Sequence, residues 1–215
     1  METDKSLLSE EDIKHRYITP ALERVWDPSD IRMELPITAG RVNIRGNLEV
    51  RERPKFADYV LYTQSGHPLA IVEAKDNKHT VSYGLQQAKA YAEMMDVKFA
   101  YSSNGDAFTE FDYLTGVERE LPLDAFPSPA ELIARLKEEG HLTDAQVKVI
   151  EQPFYVSEGT FAPRYYQQVA VDRTLDAIAR GKTRLLLVMA TGTGKTYTAF
   201  QIIYRLRKAG LGKKI

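Results

Sequence analysis

Apolar positions in the first part of the chain repeat with two different periods. Between residues 11 and 26, Ile13, Tyr17, Ile18, Leu22 and Val25, closed by Trp26, recur at three- and four-residue spacing, which predicts helix. Pro20 falls inside this stretch, where its fixed φ suits the opening turn of a second helix. Residues 31–37 (IRMELPI) fit a strand, and 40–55 read as a long polar loop or hairpin. Two apolar runs follow, 56–63 (FADYVLYT) and 69–75 (LAIVEAK). The turn-forming residues 64–68 (QSGHP) between them predict a hairpin. A helix is expected over 80–95 with Thr80 as its N-cap, then strands at 98–102 and 108–114. The order helix, three strands, helix, two strands predicts an α/β domain with a mixed sheet flanked by helices.

The pattern breaks at 121–129, where three prolines mark a boundary. A short helix is expected at 130–139. Residues 140–162 read as a linker, although Val147, Ile150, Phe154 and Tyr155 are apolar enough to dock on a neighbour. A second α/β segment opens with a helix at about 164–180, continues with a buried strand at 184–190 (RLLLVMA), and ends in a helix reaching about residue 209. The expected division is therefore 1–125 as a first domain, 126–162 as linker with a short helix, and 163–215 as the start of a second domain. One strand and two helices are too few for a complete α/β domain of normal size.

Composition narrows the function classes only slightly. A hydrophobic fraction of 43% supports a buried core, and a net charge of -1 is neutral on nucleic acid, since a local basic patch can hide in a balanced total. The absence of cysteine removes disulfides and thiolate metal sites and fits a reducing cytoplasm. The polar, acidic start METDKSLLSEED is unlike a secretory signal, and no apolar run is long enough to span a membrane.

The chemistry-bearing residues fall in two places. Asp58 lies on the first strand of the hairpin, with Glu73 and Lys75 on the second, two residues apart and so on one face. The 15-residue step from Asp58 to Glu73 lets the hairpin set them side by side. Two carboxylates and the backbone carbonyl of Ala74 form an all-oxygen set suited to Mg²⁺, which would polarise a scissile phosphate and acidify a bound water. Lys75, an ammonium beside two carboxylates, is better placed to stabilise charge on the phosphate than to act as a base. The plain alternative is a surface salt bridge, against which stand the apolar neighbours of all three charges. On the following helix Gln87 and Tyr91 are four residues apart and share a face, where they could touch DNA or, for Tyr91, pack into the core. Arg41, Arg45, Arg51, Arg53 and Lys55 make 41–55 a candidate rim for gripping phosphates, or a solvated loop. His15, His67, His79 and His141 show no pairing at ligand spacing and read as surface residues.

The second place is residues 190–196 (ATGTGKT), a glycine loop between an expected strand and a helix, the setting of a phosphate loop. Thr191, Gly192, Thr193 and Gly194 would turn backbone N–H groups toward phosphates. Lys195 would reach the β and γ phosphates, and Thr196 would offer a hydroxyl to Mg²⁺. Met189 stands where the first glycine of the usual pattern would be. Gln167, 28 residues before Lys195, could read an adenine edge with one amide.

Asp58…Glu73-x-Lys75 followed by Gln87-x-x-x-Tyr91 resembles the PD-(D/E)xK nuclease superfamily. The surrounding RYITPAL, ELPITAGR, ADYVL, VEAK and FAYSSNG resemble the restriction subunit of type I restriction enzymes over residues 10–120. The stretch 160–200 resembles superfamily 2 helicases and translocases. These resemblances imply a restriction-endonuclease-like domain followed by the first piece of a RecA-like motor. They further imply Mg²⁺ and ATP as cofactors, and double-stranded DNA together with methyltransferase and specificity subunits as partners. They imply that the partner subunits choose the site, that the motor pulls DNA, and that cleavage follows far from the site. Relatives often add an acid from the first helix, here Glu10 or Glu11. Residues 163–215 alone are not expected to hydrolyse ATP, since no second acidic motif is present. Two other readings stay open: a nuclease–helicase fusion of DNA repair or phage defence, and a nuclease-like module that only docks or binds DNA.

Overall fold

The computed structural model describes residues 4–38, 42–45, 48–51, 55–157, 159 and 163–211; of residues 38, 42–45, 48–51 and 150 only the backbone is described. The chain forms two compact units, Met1–Tyr62 with Pro68–Leu132, and Thr63–His67 with Ile133–Ile215.

After a short 3-10 turn (Lys5–Leu7), the first unit has a helical stretch in three pieces: α1 (Glu10–Ile13), a single π turn (Lys14–Ile18) and α2 (Thr19–Glu23). Ser9 and Asp12 cap its start reciprocally, and Pro20 sits in the first turn of α2, as its position suggests. Ile13, Ile18, Leu22 and Trp26 are buried as the periodicity requires, whereas Val25 faces solvent. Strands β1 (Ile31–Thr38), β4 (Lys55–Tyr62), β5 (Pro68–Ala74), β6 (Phe99–Ser103), β7 (Ala107–Asp112) and β8 (Glu118–Pro122) form one six-stranded sheet in the order β1-β4-β5-β6-β7-β8. Between β1 and β4, β2 (Val42–Arg45) and β3 (Leu48–Arg51) pair as a separate hairpin, one of the two forms expected for 40–55.

All neighbours in the large sheet are antiparallel except β5 and β6. A parallel pair needs a crossover, supplied by α3 (Leu85–Met95). Its buried residues Leu85, Ala88, Tyr91, Ala92 and Met95 follow helical spacing and, Leu85 apart, join Val60, Ile71 and Ala100 in the core between helix and sheet. The helix begins later than the sequence suggests. Residues 81–84 are turn, Gly84 is the N-cap, and Thr80 caps nothing. The cause is local packing: a Cβ on Gly84 would lie 2.9 Å from Ser102 Oγ and 3.2 Å from Glu73 Cβ, so a bare backbone is seated against β5 and β6 here. Strand β8 was not expected. Its sequence ERELP is mostly exposed, as suits the edge of a sheet.

The second unit holds α5 (Asp144–Ile150), α6 (Tyr165–Ala179) and α7 (Lys195–Lys208); α4 (Pro129–Glu138) runs across the boundary between the two units. Helix α5 lies inside the stretch read as linker, begun by a Thr143–Gln146 capping box, and Val147 and Val149 are buried. Val149, Phe154, Val171, Leu175, Ile202 and Leu206 form its core. Beside them Arg205, fully buried, binds Asp172 at 2.6 Å and lies over the Phe154 ring. The expected strand at 184–190 is not formed: among the described residues it has no ladder partner, and Leu186 and Val188 are 88% and 86% exposed. An apolar run predicts burial, but a strand exists only where another strand accepts its hydrogen bonds. No helix among the described residues is long and apolar enough to cross a membrane.

Candidate active site

The β4–β5 ladder holds from Tyr62 to Tyr59, which pairs with Val72. One step further the strands stop exchanging backbone bonds and turn to side chains. The amide of Asp58 donates to Glu73 Oε1 at 3.3 Å, and the amide of Ala74 donates to Asp58 Oδ2 at 2.8 Å. The two acids named from the sequence are thus brought together, each held by a backbone N–H. Glu73 is fully buried, and its Oε2 has no hydrogen-bond partner. Burial and the neighbouring Asp58 push its carboxyl up to about 9. Lys75, one residue past β5, places Nζ 3.9 Å from Glu73 Oε2 and 4.0 Å from Glu10 Oε2. Of the two acids considered on the first helix, Glu10 therefore reaches the pocket. Its carboxyl is held above the ordinary range by burial, against the pull of Lys75.

Lys14, which the sequence did not single out, lies at the centre of the same cluster. Its side chain is 2% exposed, with Nζ 2.7 Å from Asp58 Oδ1, 2.7 Å from Glu34 Oε1 and 2.9 Å from Glu11 Oε1. Burial works against its charge, but the bonds from Asp58, Glu34 and Glu11 outweigh burial and hold the ammonium well above the ordinary lysine range. Two backbone irregularities build the arrangement. The π turn starts at Lys14, and Glu34 has a φ of 51°, a left-handed value uncommon away from glycine.

Gln87 Nε2 donates to the Tyr91 hydroxyl at 3.2 Å, so the expected pair does share one face of α3. Tyr91 also packs in the core, and burial raises its hydroxyl despite the bond from Gln87. Of the basic rim, Arg41 and Arg53 and the side chains of Arg45 and Arg51 lie outside the described residues; Lys55 opens β4 and is exposed. His15 and His141 are exposed as expected and His79 is half-buried against Asp76, but His67 departs from the surface reading. Within the second unit its Nδ1 lies 3.3 Å from a carboxylate oxygen of Asp172, which also pairs with Arg205.

Among the described residues no three His, Asp or Glu side chains are arranged to hold one metal ion. The donor set of Asp58, Glu73 and the Ala74 carbonyl nevertheless fits Mg²⁺, which typically takes one or two carboxylates and keeps several waters. The buried, unpartnered Glu73 oxygen is the feature a divalent cation would satisfy.

In the second unit the 190–196 loop precedes α7. Gly192 and Gly194 have φ of 79° and 83°, Gly194 is the N-cap, and Lys195 and Thr196 begin the helix exposed to solvent. Left-handed glycines followed by a free helix N-terminus form the backbone cradle that a phosphate loop needs. Gln167 is buried behind this loop. Its Nε2 donates to the Thr193 carbonyl and its Oε1 accepts from the Arg164 amide, both at 2.9 Å. Both ends of the amide proposed to read adenine are therefore engaged with the protein backbone.

The family model for the N terminus of the type I restriction enzyme R protein matches residues 24–127, and the model for the type III restriction enzyme res subunit matches 160–215. The type I restriction enzyme EcoAI endonuclease subunit of Escherichia coli is 44% identical over 100% of this chain and 27% of its own length. The EcoKI endonuclease subunit of Escherichia coli K12 is 27% identical over 74% of this chain and 17% of its own. A solved structure described as a fragment of an HsdR subunit of a type I restriction enzyme from Vibrio vulnificus YJ016 superposes with a TM-score of 0.79 at 42% identity, covering 94% of this chain and 38% of that one. The chain thus spans well under half of each of these relatives. It belongs to the type I restriction enzyme R-subunit family and corresponds to the N-terminal part of such a subunit.

Proposed function

We propose that the first unit carries the DNA-cleaving site of an ATP-dependent type I restriction enzyme and that the second begins its DNA translocase. The observation that carries the nuclease reading is the meeting of Asp58, Glu73 and Lys75 around a buried carboxylate oxygen that accepts no hydrogen bond.

Asp58, Glu73 and the Ala74 carbonyl would hold Mg²⁺. The ion, when bound, supplies Lewis-acid polarisation of the scissile phosphate and a water acidified toward hydroxide. The protein does the rest. The amides of Asp58 and Ala74 fix the two carboxylates before any ligand arrives, so little reorganisation accompanies binding. The Lys75 ammonium, aimed into the pocket between Glu73 and Glu10, is placed to stabilise negative charge gathering on the phosphate. Gln87 and Tyr91 would contact the DNA backbone, and the basic residues 41–55 would track phosphates without regard to sequence. In the second unit the phosphate loop would cradle ATP, Lys195 contacting its β and γ phosphates. Gln167 would read adenine only by releasing Thr193; as it stands it props the loop. Methyltransferase and specificity subunits would supply the choice of site.

The test is a plasmid cleavage assay on the complete enzyme with its partner subunits, ATP and Mg²⁺. Glu73→Ala is expected to abolish cutting and leave DNA-stimulated ATP hydrolysis within about twofold. Normal cutting by this variant would overturn the assignment.

A further inference from the structure

Lys14 is not simply another charge near the site. Its three ammonium donors meet three carboxylate oxygens, Glu11 from α1, Glu34 from β1 and Asp58 from β4, all within 2.9 Å. That is the full donor capacity of a lysine. Hard oxygen atoms gathered from separate elements around one buried positive centre are also the surroundings in which proteins hold a divalent cation. Here the positive centre belongs to the chain itself. Asp58 is the shared member: Oδ1 faces Lys14, while Oδ2 is held by the Ala74 amide on the Glu73 side.

We propose that Lys14 is a positioning residue that fills, with its own ammonium, one of two cation positions on Asp58, and so restricts the candidate nuclease site to a single divalent ion on the Glu73 side. This rests on the nuclease reading above. A second ion on Oδ1 would have to displace a cation anchored by two further carboxylates or sit against its charge, which repels it. Among the described residues, five carboxylates, Glu10, Glu11, Glu34, Asp58 and Glu73, converge here with two ammonium groups, Lys14 and Lys75. Removing Lys14 therefore leaves a three-oxygen cage without its cation. A lysine that served only to tie the first helix to the sheet would, on removal, cost stability and nothing more.

The two roles separate in a metal count. Mn²⁺ bound per chain is read from the loss of the free-ion electron paramagnetic resonance signal, without nucleotide so that the phosphate loop takes up none. Lys14→Ala is expected to bind one Mn²⁺ more than the unmutated chain. Lys14→Arg, which keeps a cation in the cage, should bind no extra ion, and Lys14→Ala with Glu34→Gln should lose it again. In EDTA the urea midpoint of Lys14→Ala should fall, and millimolar Mn²⁺ should restore it. If that variant is unfolded in EDTA, refolding in Mn²⁺ reads the same effect. An unchanged count, with stability that Mn²⁺ does not recover, overturns the proposal. Uptake of no ion by the unmutated chain would count against the Asp58–Glu73 site. The difference between variant and unmutated chain, one ion or none, still decides the role of Lys14.

Discussion

Glu73 should cost the metal-free protein stability at neutral pH, and Glu73→Gln should recover it. The side chain is fully buried, one oxygen lacks a partner, and Asp58 stands beside it. Its carboxyl is raised from an ordinary 4.5 to about 9. Between those values the native state binds a proton that the unfolded chain releases, so the contribution of Glu73 is most favourable below pH 4.5 and is lost as pH rises toward 9. At pH 7 the penalty is bounded by the cost of protonating an ordinary carboxyl there. That is roughly 2.5 pH units at 1.36 kcal/mol each, or about 3 kcal/mol at most. Glutamine keeps the oxygen that accepts from the Asp58 amide and carries no charge, so a gain of about 1–3 kcal/mol is expected at pH 7 and close to none at pH 4.5. Urea unfolding in EDTA at the two pH values measures this. The only tryptophan, Trp26, is buried in the first unit with its indole N–H on the Pro127 carbonyl, so its fluorescence reports on that unit. No gain at pH 7, or an equal gain at both pH values, would refute the account of Glu73 as a buried acid whose charge is only partly offset by Lys75.

Three further outcomes are expected. Lys195→Ala in the complete enzyme should stop ATP hydrolysis and, with it, cleavage, although every nuclease residue is intact; cleavage at the normal rate would show the two activities to be independent. Gly84→Ala should destabilise the first unit by about 1–3 kcal/mol in urea and lower cleavage per folded molecule, because the new methyl would meet Ser102 Oγ at 2.9 Å, Glu73 Cβ at 3.2 Å and Lys75 Cε at 3.3 Å; unchanged cleavage would show that the Lys75 position is not set by this contact. Gln87→Ala and Tyr91→Phe should reduce cleavage more than Mn²⁺ affinity, and a purely structural role would appear instead as lost stability with cleavage per folded molecule unchanged.

The hairpin and its three charged residues were legible because their signals are local. Two apolar runs, a turn and a fixed 15-residue step are enough to bring Asp58 to Glu73. Glu10 was legible only as one of two, since helix phase near a cap is loose. Lys14 was not legible at all: a lysine in an amphipathic helix ordinarily reaches water. Its burial depends on a π turn and on the left-handed backbone of Glu34, features that no periodicity announces. Strand β8 escaped for the opposite reason, since an edge strand needs little apolar content. The start of α3 was misplaced because Thr80 offers a good cap, while the packing of Gly84 against Ser102 and Glu73 is a tertiary fact. At 184–190 hydrophobicity shows that a segment wants cover and not that cover is present.

That last segment bears on how the protein behaves at high concentration. Leu185, Leu186, Leu187 and Val188 are between 43% and 88% exposed, in a segment that is neither helix nor strand and has no ladder partner among the described residues. Short apolar stretches of this kind, uncharged and free of proline, are templates for intermolecular β-pairing and aggregation. The same residues that would make a well-covered central strand are thus a solubility hazard wherever they are bare. A charged substitution at Leu186 would suppress self-association of this chain and would be ruinous in any setting where the strand is buried.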